Sequence, residues 1–239
     1  LNSLMNVLTC MREFKVPNLV FSSSCTVYGQ ADVLPVTEKT PRHEAESPYG
    51  NTKVMSEDII RDLMRVEPDM KALALRYFNP IGAHPTAFIG ELPNGVPNNL
   101  IPYLTQTAIG IREQLSVFGD DYNTPDGSPL RDYIDVVDLA QAHVVAIRRL
   151  LDGKNKKNYE FFNIGTGKAL SVLEIIHAFE RATGVKVNYK VVGRRAGDIE
   201  KVWADTTLAN NELGWKAVTP IEETLANAWK WQKSLEATN

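Results

Sequence analysis

The sequence predicts an α/β protein built on a doubly wound parallel sheet, with a smaller α/β domain towards the carboxyl terminus. Three observations point there. Asn18 to Phe21, Lys71 to Phe78 and Tyr159 to Ile164 are short apolar runs of the length expected for buried parallel strands. Between them lie segments with helical periodicity and capping signals. The first run opens into Ser22-Ser23-Ser24, and the carboxyl ends of strands are where such sheets place their sites.

Taken in order, Leu1, Leu4, Leu8 and Met11 recur at helical spacing, so the chain opens inside a helix. With no initiating methionine, the start reads as a cut. After the first strand, residues 29–47 are rich in proline, charge, glycine and serine and read as a surface loop. It ends at Ser47-Pro48, an N-cap followed by proline at the first helical position. That helix runs through Met64 and stops near Glu67-Pro68-Asp69, and the strand Lys71 to Phe78 follows. Strand, loop, helix and strand make a crossover unit.

From Asn79 to Asn99 the composition turns to Pro80, Gly82, Pro85, Gly90, Pro93, Gly95 and Pro97, a long irregular stretch that marks a domain boundary. The division expected is 1–80 and 81–239, with some later segments returning to the first sheet. Beyond it come a helix from Pro102 to Ile111, a strand from Leu115 to Phe118, a helix from Val136 to Leu151 and the strand Tyr159 to Ile164. The last feeds Gly165-Thr166-Gly167. Leu170 stands where a dinucleotide fingerprint needs its third glycine, so this reads as a tight turn. Ser171 and Glu174 form a capping box for the next helix.

Composition narrows the class. The 239 residues are 44% hydrophobic and 23% charged, with a formal net charge of −3. That suits a soluble globular protein and gives no basic surface for nucleic acid or an anionic membrane. Cys10 and Cys25 are the two cysteines: they make no disulfide framework and no metal-ligand spacing, so no metal is expected. No apolar run approaches the ~18 residues that span a bilayer. A cytoplasmic protein is expected.

The sharpest local feature is Ser47-Pro48-Tyr49-Gly50-Asn51-Thr52-Lys53. Tyr49 and Lys53 stand at i and i+4 near a helix start, on one face. A cation beside a phenol favours the phenolate, and the helix N-terminus adds positive potential. The pairing is therefore a way to make a base that accepts a hydroxyl proton. Taken alone, the spacing also arises on ordinary helices as a surface pair.

The order of motifs decides between these. Phe21-Ser22-Ser23-Ser24 is followed by the Tyr49/Lys53 helix and then by Leu75-Arg76-Tyr77-Phe78-Asn79-Pro80. This arrangement resembles the extended short-chain dehydrogenase/reductase superfamily. Ser22-Ser23-Ser24-Cys25-Thr26-Val27-Tyr28-Gly29, Gly95-Val96-Pro97-Asn98-Asn99-Leu100, Val117-Phe118-Gly119-Asp120-Asp121-Tyr122 and Arg131-Asp132-Tyr133-Ile134 are similar to the UDP-glucose 4-epimerase family, in order from Leu1 to about Gln232.

The resemblance implies NAD as cofactor, a UDP-hexose as substrate, a homodimer, and interconversion of UDP-galactose and UDP-glucose through a 4-keto sugar. It implies Tyr49 as acid/base, Lys53 as its partner and a ligand of the nicotinamide ribose, and Ser24 as the hydroxyl sharing the sugar O4 proton. Phe78 would lie beside the nicotinamide. Asn79, Asn99 and Leu100 would line the uridine diphosphate site, with Ser116, Val117 and Phe118 along uracil and ribose. Arg131 and Arg195 would clamp the diphosphate, with Asp198 close to the nucleotide.

The chain departs from the family pattern in two places. No Gly-x-x-Gly-x-x-Gly loop is present, so the expectation is an incomplete Rossmann fold whose amino-terminal segment is missing. Alone, such a chain is expected to be inactive and poorly soluble. Val202 aligns beside the sugar 2-substituent, where valine leaves room for an N-acetyl group. Cys25 stands where alanine is usual and reads as a small buried thiol. A nucleotide-sugar dehydratase would need an acid pair directly after the strand-end serine. Here Cys25 and Thr26 follow Ser24, which disfavours it. A non-catalytic nucleotide-sugar sensor is disfavoured by the intact Ser24, Tyr49 and Lys53.

Overall fold

The computed structural model describes residues 1–195 and 197–236. In chain order the elements are α1 (Asn2–Glu13), β1 (Asn18–Ser24), α2 (Pro48–Val66), β2 (Lys71–Tyr77), β3 (Asn79–Ile81) and α3 (Leu100–Ala108). Then come β4 (Leu115–Phe118), β5 (Leu130–Arg131), β6 (Tyr133–Asp135), α4 (Val136–Leu151), β7 (Tyr159–Ile164) and β8 (Leu170–Ser171). The chain ends with α5 (Val172–Thr183), β9 (Tyr189–Val192), β10 (Lys201–Val202), α6 (Thr207–Leu213) and α7 (Ile221–Glu236). A short 3₁₀ turn, Cys25–Tyr28, follows β1 directly.

The chain forms two compact units. The first comprises Leu1–Phe78, Ala140–Gly165 and Ala204–Lys216. Its sheet is β1-β2-β7, parallel throughout. β2 lies in the middle, and its five inner residues, Ala72 to Arg76, are all buried, as a strand covered on both faces requires. Leu8 and Met11 of α1 and Ile60 and Met64 of α2 pack with Ala72 into one apolar cluster. α2 starts where Ser47 accepts a hydrogen bond from the Gly50 amide and Pro48 opens the first turn, which aims its early residues at the strand ends.

Residues 29–47, expected to be a surface loop, go partly inside. Val36 is fully buried. Its backbone oxygen accepts from the Asp205 amide at 2.7 Å and from Asn163 Nδ2 at 2.9 Å. With its polar backbone thus satisfied, an irregular segment can enter the core.

The second unit comprises Asn79–Leu139, Thr166–Trp203 and Ala217–Asn239. It contains the pairs β3-β6 and β4-β9, both parallel, and the small sheet β10-β5-β8. Leu104 of α3, Ile175, Ile176 and Phe179 of α5 and Leu225 of α7 fill its core together with Val117 of β4. Phe179 meets Trp229 edge to face, with centroids 5.7 Å apart. The Ser171/Glu174 capping box opens α5 as expected. α3 begins at Leu100 instead of near Pro102, directly after Asn99 in the N-cap position.

Candidate active site

In the first unit, Ser24 is the last residue of β1 and is buried. Its hydroxyl accepts from the Thr26 amide at 3.2 Å, capping the short turn that follows. Tyr49 lies in the first turn of α2 with 53% of its surface exposed, so the ring is available to a ligand. Lys53, one turn later, donates from Nζ to the Ser22 carbonyl at 2.8 Å. Its ammonium sits 5.4 Å from the centroid of the Tyr49 ring and 5.2 Å from that of Phe21.

Burial works against the phenolate in this pair. Lys53 was expected to favour the Tyr49 phenolate, but the phenol is pushed up from its ordinary range, chiefly by burial and next by Tyr77, with a Ser24 hydrogen bond working the other way. The reason is geometric: Lys53 is drawn to the Ser22 carbonyl and lies by the Tyr49 ring. Burial also pushes the Lys53 ammonium down. Burial thus favours the protonated phenol, and a positive charge beside the ring would work in the opposite direction.

Phe78, which directly follows β2, is 4% exposed and its amide donates to the Ile164 carbonyl at 3.2 Å. It is a core aromatic at the sheet's end. Ser24, Tyr49, Lys53 and Phe78 thus all belong to elements that meet where β1 and β2 terminate.

The second unit holds the remaining candidates. Asn79 opens β3, and its amide donates to the Asp132 carbonyl at 3.0 Å. Asn99 is exposed, and its Nδ2 donates to Glu91 Oε1 at 2.6 Å. Leu100 packs against the core cluster. On β4 the alternation separates the three residues: Val117 points into the core while Ser116 and Phe118 take the other face. Val117 can therefore offer a ligand only its backbone.

Arg131 ends β5, and its Nη2 donates to Asp198 Oδ1 at 2.5 Å while Nη1 donates to the Leu130 carbonyl at 2.8 Å. The Arg195 side chain is 59% exposed, with its Nη2 4.0 Å from Asp198 Oδ1. Its guanidinium lies 5.8 Å from the Phe118 ring centroid. Two guanidinium groups around one carboxylate leave a net positive charge, the balance an anionic ligand requires. Val202 pairs with Arg131 across β10 and β5 and is buried. The Arg194–Asp198 loop includes Ala196, which lies outside the described residues.

Asp132 is a residue that the sequence reading missed. Fully buried, it accepts from the Thr166 amide at 2.8 Å, Thr166 Oγ1 at 2.7 Å and the Gly167 amide at 3.0 Å. The Gly165-Thr166-Gly167 turn is thus organised by a carboxylate, and the same residue's carbonyl holds Asn79. Its signal in the sequence was a lone acid between Arg131 and the apolar Tyr133-Ile134. Among the described residues no cluster of three or more metal-ligating side chains occurs, and no helix is long and apolar enough to cross a membrane.

Comparisons with known proteins add the context. The family model described as GDP-mannose 4,6 dehydratase matches residues 1–228. The chain is 48% identical to UDP-glucose 4-epimerase of Mus musculus over 98% of its own length and 66% of that protein. It therefore spans just under two thirds of that relative. It is 47% identical to UDP-glucose 4-epimerase of Yersinia enterocolitica, over 97% of this chain and 68% of that protein. The crystal structure of UDP-glucose-4-epimerase from Stenotrophomonas maltophila, with bound NAD and formylated UDP-arabinopyranose, matches at a TM-score of 0.94 and 46% identity. That match covers 98% of this chain and 69% of that one.

Proposed function

Because the chain belongs to the UDP-glucose 4-epimerase family of extended short-chain dehydrogenases/reductases, we propose that the full-length protein interconverts UDP-galactose and UDP-glucose with tightly held NAD. The observation that carries this reading is the grouping of Ser24, Tyr49 and Lys53 at one strand end, inside a chain similar to these enzymes throughout its length. The dehydratase named by the family model would need a carboxylic acid after Ser24, and Cys25 and Thr26 offer none.

The residues present fit the nicotinamide end of such a cofactor. Lys53 spends one of its three donors on Ser22, which leaves two for ribose hydroxyls while fixing the side chain's direction. Tyr49, exposed next to it, can reach the same ribose, and Phe78, the residue after β2, is assigned beside the nicotinamide. When bound, NAD would supply a hydride acceptor and donor for the sugar C4 and a positive charge that would favour the Tyr49 phenolate. Tyr49 removes the O4 proton, Ser24 shares a hydrogen bond with that oxygen, and the C4–O bond becomes a carbonyl. In the reverse sense Tyr49 would give the same proton back to O4, leaving C4 inverted when the hexose presents its opposite face. Arg131, Arg195 and Asp198, together with Asn79, Asn99, Leu100, Ser116, Phe118 and the Val117 backbone, hold the UDP portion while the hexose turns over.

The full-length protein given UDP-galactose alone should form UDP-glucose, followed by chromatography. A protein that binds UDP yet forms no UDP-glucose contradicts the reading. Arg131→Lys should raise KM for UDP-galactose about 10-fold with kcat little changed, since lysine loses the planar fork that meets both Asp198 and a phosphate. Val202 extends the substrate range to the N-acetylated UDP-hexoses. Val202→Tyr should lower kcat/KM for UDP-N-acetylglucosamine about 10-fold more than for UDP-glucose, and equal loss on both substrates rejects this. A cytoplasmic homodimer completes the proposal, with sedimentation as its check.

A further inference from the structure

One row across the first unit's sheet is polar. Ser23, Arg76 and Asn163 stand in register on β1, β2 and β7, and all three are buried. A charge among apolar strands is unfavourable unless it is paired and hydrogen-bonded, and Arg76 is both. Its Nε and Nη2 donate to the two oxygens of Glu57 at 2.9 and 2.5 Å, and Nη1 donates to Tyr28 Oη at 3.0 Å. Ser23 Oγ donates to Glu57 Oε1 at 2.5 Å, and Tyr28 Oη donates to Asn163 Oδ1 at 2.7 Å. Glu57 is 1% exposed.

An apolar row would hold the sheet as well, so the location of the polar one is informative. It lies one residue before Ser24 on β1 and one turn after Lys53 on α2. Lys53 ties α2 to the Ser22 carbonyl and Glu57 ties it to the Ser23 hydroxyl, so successive turns of the helix are fastened to successive residues of the strand. Arg76 adds β2, whose next residues are Tyr77 and Phe78. Tyr28 belongs to the turn that Ser24 caps. Every element carrying Ser24, Tyr49, Lys53 or Phe78 thus converges on the Glu57–Arg76 pair. A fully satisfied buried polar network rigidifies the elements it joins and specifies one arrangement of them.

We propose that Glu57 and Arg76 are positioning residues for the reaction, holding the Tyr49/Lys53 helix in the register that sets the Tyr49 hydroxyl beside Ser24. This rests on the epimerase reading above. Neither side chain touches the reacting atoms; both act through Tyr49 and Lys53. A cavity of about 210 Å³ lined in part by Arg42, Glu57, Arg76 and Tyr159 includes none of the candidate site residues.

The test uses the full-length protein. Glu57→Gln keeps the side chain's shape and one acceptor while removing the charge. It should lower kcat on UDP-galactose about 10- to 100-fold and leave KM and UDP affinity close to the parent's, because the UDP candidates belong to the second unit. Ser23→Ala removes one bond and leaves the ion pair, and should lower kcat about 3- to 10-fold. In both, the Tyr49 ionisation should shift, measured as the difference titration against the same protein carrying Tyr49→Phe. A lowered melting temperature with kcat and the Tyr49 titration unchanged overturns the proposal, since that is what a merely structural pair would give. If Glu57→Gln fails to fold, Ser23→Ala decides by the same criteria. A parent inactive on every UDP-hexose rejects the epimerase reading instead, and the Tyr49 titration then still decides whether the pair positions that residue.

Discussion

Tyr49→Phe is expected to lower kcat for UDP-hexose interconversion by about 10²- to 10⁴-fold, the range a positioned acid/base contributes. The substitution removes one oxygen from a ring that is 53% exposed, so packing changes little and the melting temperature should stay close to the parent's. UDP affinity should also hold, because Tyr49 belongs to the first unit and the UDP candidates to the second. Separate measurements of kcat and of UDP binding check both parts. The raised ionisation of Tyr49 sharpens the expectation. In the unit alone, the base form is favoured only at high pH, and it must appear at lower pH once a positive charge sits beside the ring. The acid limb of the kcat profile should therefore lie below the titration of Tyr49 in the ligand-free protein. Retention of more than a tenth of parent kcat by Tyr49→Phe would mean that another group moves the O4 proton.

The second large effect is on stability. Arg76→Met leaves the buried Glu57 with the Ser23 hydroxyl and the more distant Arg42 guanidinium, 3.8 Å away, so the loss should approach from below the cost of a broken buried pair, about 3–5 kcal/mol. Denaturant unfolding should show that loss. The double variant Glu57→Met/Arg76→Met, which removes both charges, should recover much of it. A loss below about 1 kcal/mol in the single variant would show that the pair behaves as a surface pair does. The double variant also separates two roles of the same residues: it should fold while remaining slow, if the network's direction and not only its stability matters.

Much of the first unit was legible because its signals are local. Ser47-Pro48 marks the start of α2, and apolar runs of strand length mark β1, β2 and β7, with the observed elements close to the expected ones. β9 and β10, strands of two to four residues, and α6, seven residues long, are too short to carry a period, whereas α7, at 16 residues, is long enough to carry one and was still not expected. The buried part of residues 29–47 was hidden for another reason: what lets Val36 go inside is bonding to Asn163 and Asp205, far along the chain.

The site divides in the same way. Tyr49 and Lys53 show their common face through i and i+4 spacing, but where the ammonium points depends on the Ser22 carbonyl, and no spacing contains that. Ser116, Val117 and Phe118 form one stretch in the sequence, yet a strand must send alternate residues to opposite faces, and Val117 goes to the core. Arg76 stands conspicuously as a charge in the apolar run from Ala72 to Tyr77. Its meaning required the register that places Ser23 and Asn163 on either side, which is a property of three strands and of none singly.

In the proposed reaction the C4 hydrogen of the sugar leaves and returns with its electron pair while Tyr49 handles only the O4 proton. UDP-galactose carrying deuterium at C4, incubated with the full-length protein and no added nicotinamide, tests it most directly. The UDP-glucose formed should keep its deuterium at C4, with none appearing in the water. Deuterium lost to solvent during interconversion would mean that C4 is inverted by proton removal, and the hydride mechanism argued from Ser24, Tyr49 and Lys53 would be wrong.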